Sequence, residues 1–191
     1  MKPNDYYYYL NLPFEFNKEV PDFGDKGHIL FSKQDVPKFE AWLNTLGLTI
    51  RHADVFRKKP GWPDTRFYKE RATIHIDGHK FDNHAKINFV YNSGTSKIVW
   101  YKLKEGRESF PDQSGAYTPS RSAWLEDCVV AESAFTNRPM LVNVGQLHDI
   151  QDVDQTRYCF SFQLAPLNNP TDKIYWSDVT IYFKDYIEYQ T

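Results

Sequence analysis

Apolar positions follow a helical spacing once, early in the chain, and an alternating or clustered spacing after it. Phe39, Trp42, Leu43 and Leu46 recur three or four apart, as along one face of a helix. Ahead of them Asp35 has the chemistry of an N-cap, Pro37 suits a first helical turn, and Gly47 supplies a stop. The pattern predicts one N-terminal helix whose aromatic side faces the core. From Leu48 onward, short runs rich in β-branched and aromatic residues predict strands at Leu48–Phe56, Thr65–Lys69, Ala72–Asp77, Lys86–Tyr91 and Ile98–Leu103. Met140–Val144, Arg157–Leu164 and Val179–Ile187 read the same way. Turn signals separate them, among them Pro60-Gly61-Trp62-Pro63-Asp64 and Asn92-Ser93-Gly94, the latter predicting a hairpin. The stretch Glu105–Arg121, broken by Gly and Pro, reads as a long surface loop. Some eight or nine strands behind one helix predict a mainly β protein, a double-sheet barrel or jelly roll with the N-terminal helix packed outside.

Composition supports one domain spanning residues 1–191. Its 191 residues and 22.5 kDa are small for two domains. With 14 Phe, 13 Tyr and 5 Trp, aromatic residues reach 17%, which favours strands and a core of packed rings. Two cysteines, Cys128 and Cys159, do not make a disulfide scaffold, and they lack the Cys-x₂-Cys spacing of a structural zinc site.

The net charge of −2 hides a split of +5 over residues 1–104 and −7 over residues 105–191. The longest basic cluster is Arg57-Lys58-Lys59, too small for the broad basic surface of a nucleic-acid binder. No apolar run approaches the ~18 residues of a membrane span. The N-terminus, MKPNDYYYYLNLPF, carries no basic-then-apolar leader, so the expectation is a cytoplasmic protein without a membrane.

Chemistry concentrates around two of the six histidines. In Ile74-His75-Ile76-Asp77 a histidine and an aspartate lie two apart at a strand end, where i and i+2 share a face. An imidazole nitrogen and a carboxylate oxygen then converge, as a divalent metal requires. His52-Ala53-Asp54 offers the same pair. His148 follows the strand Met140–Val144 and its turn, and Arg157 comes nine residues later. On the Arg157 strand, Arg157, Cys159, Ser161 and Gln163 share one face, and Tyr158, Phe160, Phe162 and Leu164 share the other. A permanent cation beside small polar side chains suits an anion clamp inside a barrel. His79 and His84 read as loop residues.

The ordered set His75-x-Asp77, His148 and Arg157 resembles the signature of Fe(II)/2-oxoglutarate-dependent dioxygenases. It is most similar to their prolyl-hydroxylase-like branch and its small phage-encoded relatives, over roughly residues 65–165. The resemblance selects His75 and Asp77 over His52 and Asp54, which come too soon after the helix. It implies a double-stranded β-helix over about residues 48–191. It further implies Fe(II) held by His75, Asp77 and His148, and 2-oxoglutarate bound to the iron with its far carboxylate on Arg157. O₂ would be the co-reactant, decarboxylation to succinate would accompany hydroxylation, and the host cytoplasm would be the location of a phage-encoded member. Asn88 and Ser161 are further cosubstrate contacts, and Tyr68 a lesser one. Cys159 stands where the family often has a serine two after the arginine. The substrate class is a protein side chain or a small molecule, with walls at residues 57–62 and 105–121. The competing readings are a non-enzymatic jelly-roll binding or structural protein with a degenerate metal site, and a cupin-like isomerase.

Overall fold

A computed structural model describes residues 4–61, 74–77, 83–112 and 120–189. Its first half contains β1 (Tyr7–Leu10), β2 (His28–Phe31), α1 (Pro37–Thr45), β3 (Leu48–Lys58), β4 (Ile74–Ile76), β5 (Ala85–Tyr91) and β6 (Lys97–Leu103). Its second contains β7 (Phe110–Asp112), β8 (Ser120–Ala123), β9 (Cys128–Phe135), β10 (Met140–Asn143), β11 (His148–Gln151), β12 (Arg157–Pro166), α2 (Val179–Phe183) and β13 (Ile187–Glu188). The protein is mainly β. A seven-stranded sheet runs β13-β1-β10-β5-β12-β3-β2, and a six-stranded sheet runs β7-β8-β4-β11-β6-β9, every pairing antiparallel.

The arrangement is a β-sandwich, and the clusters of buried residues say which faces meet. Tyr7, Met140 and Val142 of the larger sheet pack with Ile98, Trp100 and Ala134 of the smaller one. Tyr7 stacks on Trp100 with centroids 5.5 Å apart. The largest cluster lies on the opposite face of the seven-stranded sheet. There Val55, Ile87, Phe160, Phe162 and Leu164 pack with Phe39 and Leu43 of α1 and Phe183 of α2. The two alternating faces of β12 thereby part: Phe160 and Phe162 join this cluster, while Arg157, Cys159 and Ser161 point away from it, all buried.

Several local expectations need correction. Asp35 does not cap α1. It closes a 3₁₀ turn, Lys33–Asp35, in a capping box with Ser32, and the helix N-cap is Val36 without a side-chain bond. Val179–Ile187 is not a strand. Val179 and Phe183, four apart, are buried while Ile181 is 69% exposed, so the period is helical despite β-prone residues. Asn92-Ser93-Gly94 does not close a hairpin, because β5 and β6 belong to different sheets. Thr95 is instead held from the far side, its amide donating to Asp154 and its hydroxyl to the Asp152 carbonyl. The stretch 105–121 is not all loop: Phe110–Asp112 pairs with Ser120–Ser122. His84 is buried and bridged to Tyr175. Strands β1, β2 and β9 were not expected; β1 and β2 lie near opposite edges of the larger sheet. The predicted strand Thr65–Lys69, with Tyr68 and His79, lies outside the described residues.

Candidate functional site

His75 sits in the middle of the short strand β4, opposite His148 at the start of β11. Direct cross-strand partners carry their side chains on the same face, so the two imidazoles meet, with ring centroids 4.8 Å apart. Asp77, just past β4, returns to that face. Its Oδ1 is 3.5 Å from His75 Nε2. One donor atom each from His75, Asp77 and His148 lies within 4.8 Å of the other two. Two imidazole nitrogens and a carboxylate oxygen are the donor set of a 2-His-1-carboxylate centre, so the residues present fit a divalent first-row ion.

The surrounding backbone fixes the donors. His148 Nδ1 is 2.8 Å from the carbonyl oxygen of Gln146. A carbonyl only accepts, so Nδ1 carries the proton and Nε2 keeps its lone pair for a ligand. The Asp77 amide donates to the Val144 carbonyl at 2.9 Å, tying the end of β4 to the turn before His148. Burial, and then the neighbouring His75, lower the His148 pKa to about 4, which leaves a neutral donor at pH 7.

Lys86 reaches the triad from β5 of the facing sheet, its ammonium 2.8 Å from Asp77 Oδ2. Burial works to raise the Asp77 pKa. The Lys86 charge, the His75 bond and the two imidazoles outweigh it and hold the carboxyl well below its ordinary value. The Asp77 carboxylate is thus divided, Oδ2 toward the ammonium and Oδ1 toward the histidines. Lys86 went unnoticed in the sequence, although a signal existed: Lys86 and Asn88 alternate with Ala85, Ile87 and Phe89.

The other expected site residues lie on the seven-stranded sheet, on the face turned away from its aromatic cluster. Arg157 opens β12 and is 4% exposed. Ser161 is buried and stands directly opposite Asn88 of β5 and Asp54 of β3. Asn88 Oδ1 is buried and accepts no hydrogen bond among the described residues. Burial pushes the Cys159 thiol pKa up, with the Arg157 guanidinium beside it pulling the other way. Both cysteines are free. The rival pair makes a different cluster: His52 Nε2 and His28 Nε2 lie 3.1 and 2.6 Å from the same oxygen, Asp54 Oδ1. Burial alone would raise the Asp54 pKa, but these two bonds and the Lys86 charge lower it.

Asp54 gives a pH prediction. A folded-state pKa below the unfolded value adds stability above the unfolded pKa, and that stability is lost as pH falls through the folded pKa. Asp54→Asn is therefore expected to cost about 1–2 kcal/mol at pH 7. The gap to wild type should close in acid, below about pH 4. Urea titrations across pH read this directly; a gap that stays constant down to pH 3 would refute it.

Comparison of the chain with models of known protein families and with curated proteins finds no match. Among the described residues no helix is long and apolar enough to cross a membrane.

Proposed function

We propose that the protein is an Fe(II)- and 2-oxoglutarate-dependent oxygenase that hydroxylates a small molecule or a protein side chain. The observation that carries this reading is the convergence of His75, Asp77 and His148 across two paired strands, facing a sheet with buried Arg157 and Ser161. Topology supports it. The strands β3, β12, β5 and β10 adjoin in one sheet and β4, β11, β6 and β9 in the other. Along the chain they step between sheets in a 1-2-1-2-2-1-2-1 order, as the eight strands of a jelly roll do. We read this as a double-stranded β-helix, widened by β1, β2 and β13 on one sheet and by β7 and β8 on the other.

In this reading His75, Asp77 and His148 hold the ion. Bound Fe(II) supplies the activation of O₂ that couples oxidative decarboxylation of 2-oxoglutarate to hydroxylation of a C–H bond. The chain's own residues bind and orient. Arg157, permanently charged and buried, takes the far carboxylate of 2-oxoglutarate in a place where charge-assisted hydrogen bonds are strong. Ser161 and Asn88, opposite one another, line the path; the unsatisfied Asn88 Oδ1 is a ready acceptor for a ligand's donor group. Trp100 and Met140, both fully buried, keep water from the inter-sheet space.

The test is anaerobic. Mn(II) or Fe(II) with 2-oxoglutarate should raise the melting temperature beyond either alone, and air should then yield succinate. Arg157→Ala should raise the 2-oxoglutarate requirement about 10- to 100-fold while leaving Mn(II) binding intact. Absence of any shift with metal or cosubstrate would overturn the assignment. One observation favours the second reading, a non-enzymatic jelly roll with a degenerate site: the Lys86 ammonium already neutralises Asp77. That protein would bind neither ligand.

A further inference from the structure

Beside the edge strand β2 of the larger sheet, β3 breaks its alternation. Gln163 pairs with His52 and Leu164 with Ile50, so Arg51 has no partner and forms a β-bulge. The consequence is visible in the burial. Ile50 and Ala53, three apart, both join the aromatic cluster, and Arg51 and His52 between them are both exposed. One inserted residue thereby sends two consecutive basic side chains to the same side.

They enter a groove of about 460 Å³ that Lys33, Leu30, Phe31 and Pro170 also line. None of the groove's lining residues is acidic. Lys33 is shared with Glu40 at its rim, 3.6 Å away. Arg51 Nη1 meets only a neutral group within the chain's described bonds, Gln163 Oε1 at 3.4 Å, which leaves its remaining N–H groups for a ligand. His52 is oriented from behind: Asp54, itself bonded to His28, holds its Nε2 and turns the rest of the ring outward. Arg51 at one end and Leu30 and Pro170 alongside suit an anion carried on an apolar body.

We propose that this groove is a binding site for a small molecule with a phosphate or carboxylate on an aromatic or aliphatic frame. Arg51 grips the anion, the His52 ring lies beside it, and Leu30 and Pro170 cover the frame. The site stands independently of the metal centre. The register nevertheless places the two close together, since Gln163 lies between His52 on one neighbouring strand and Lys86 on the other.

The probe is phenylphosphate, titrated into the full chain and followed by backbone amide shifts, with inorganic phosphate and benzylamine for comparison. Saturable shifts are expected at residues 30–34 and 50–53, weaker binding for inorganic phosphate, and none there for benzylamine. Arg51→Gln should weaken phenylphosphate about tenfold or more, and His52→Ala should weaken it too. Lys102→Gln, the same charge change on exposed β6 surface, should have no effect. Shifts confined to the neighbourhood of Arg157, undiminished affinity in Arg51→Gln, or equal weakening by Lys102→Gln would each overturn the proposal.

Discussion

Asp77→Ala is expected to abolish Mn(II) binding and to lower stability as well. The metal effect follows from donor count. Two imidazoles remain, and since even outer-shell partners contribute 10- to 100-fold to affinity, loss of a ligand should exceed about a hundredfold. The stability effect follows from what is left behind. Lys86 is 11% exposed and Asp77 19%, so removing the carboxylate takes away the counter-ion that lies 2.8 Å from a largely buried ammonium. Breaking a fully buried pair costs about 3–5 kcal/mol, and the residual exposure here reduces that to about 2–3 kcal/mol. The double variant Asp77→Ala with Lys86→Met removes that buried charge and should recover part of this loss without recovering metal. Lys86→Met alone keeps all three donors, removes a cation that competes with the ion, and should tighten Mn(II) binding. Urea denaturation and metal titration of the four proteins separate these effects. Full stability in Asp77→Ala would show that the ion pair is not energetically coupled. Retained Mn(II) binding there would remove Asp77 from the ligand set.

The metal-ligand candidates were legible in the sequence because strand alternation converts spacing directly into a shared face. The rule that i and i+2 point the same way offered His75 with Asp77 and His52 with Asp54 alike, and the family resemblance chose the first pair. The approach of His148 was not derivable by that rule. It depends on β4 and β11 pairing antiparallel, a contact between residues 73 apart. The same distance effect hid Lys86, whose meaning comes from Asp77 on the other sheet. Strands β1 and β2 were illegible for a different reason. The Tyr6-Tyr7-Tyr8-Tyr9 run is aromatic on both faces, so it has no alternation. It is buried on both sides, with Tyr7 against Trp100 and Tyr8 against Trp176. His28–Phe31 is an edge strand recognisable only once β3 is there to pair with it. In α2, β propensity and helical period disagreed, and burial of Val179 and Phe183 decided for the period.

Gly145→Ala is expected to disturb the same centre from outside the ligand set. Gly145 occupies the turn between β10 and β11, three residues before His148. A Cβ there would stand 2.6 Å from Asn83 Cα and 3.2 Å from the His84 amide nitrogen. The obstruction is backbone, and that backbone is pinned. The Asn83 carbonyl accepts from the Trp176 amide, His84 bridges to Tyr175, and the Ala85 amide donates to Ile174. No rotamer change relieves the contact, so the turn itself must retreat. Its retreat pulls on the Val144 carbonyl that holds the Asp77 amide and on the Gln146 carbonyl that orients His148. Overpacking of this kind costs about 3 kcal/mol, and displaced donors should weaken Mn(II) binding about tenfold. Gly94→Ala provides the contrast. Its obstruction is the Asp154 side chain, which can rotate away at the loss of its exposed bond from the Thr95 amide, so the cost is that of a left-handed residue plus that bond, about 2–3 kcal/mol. It lies in the turn after β5 and should leave metal affinity unchanged. If Gly145→Ala and Gly94→Ala lose equal stability and both keep wild-type Mn(II) affinity, the close packing of the 83–84 and 144–147 segments does not govern the position of His148.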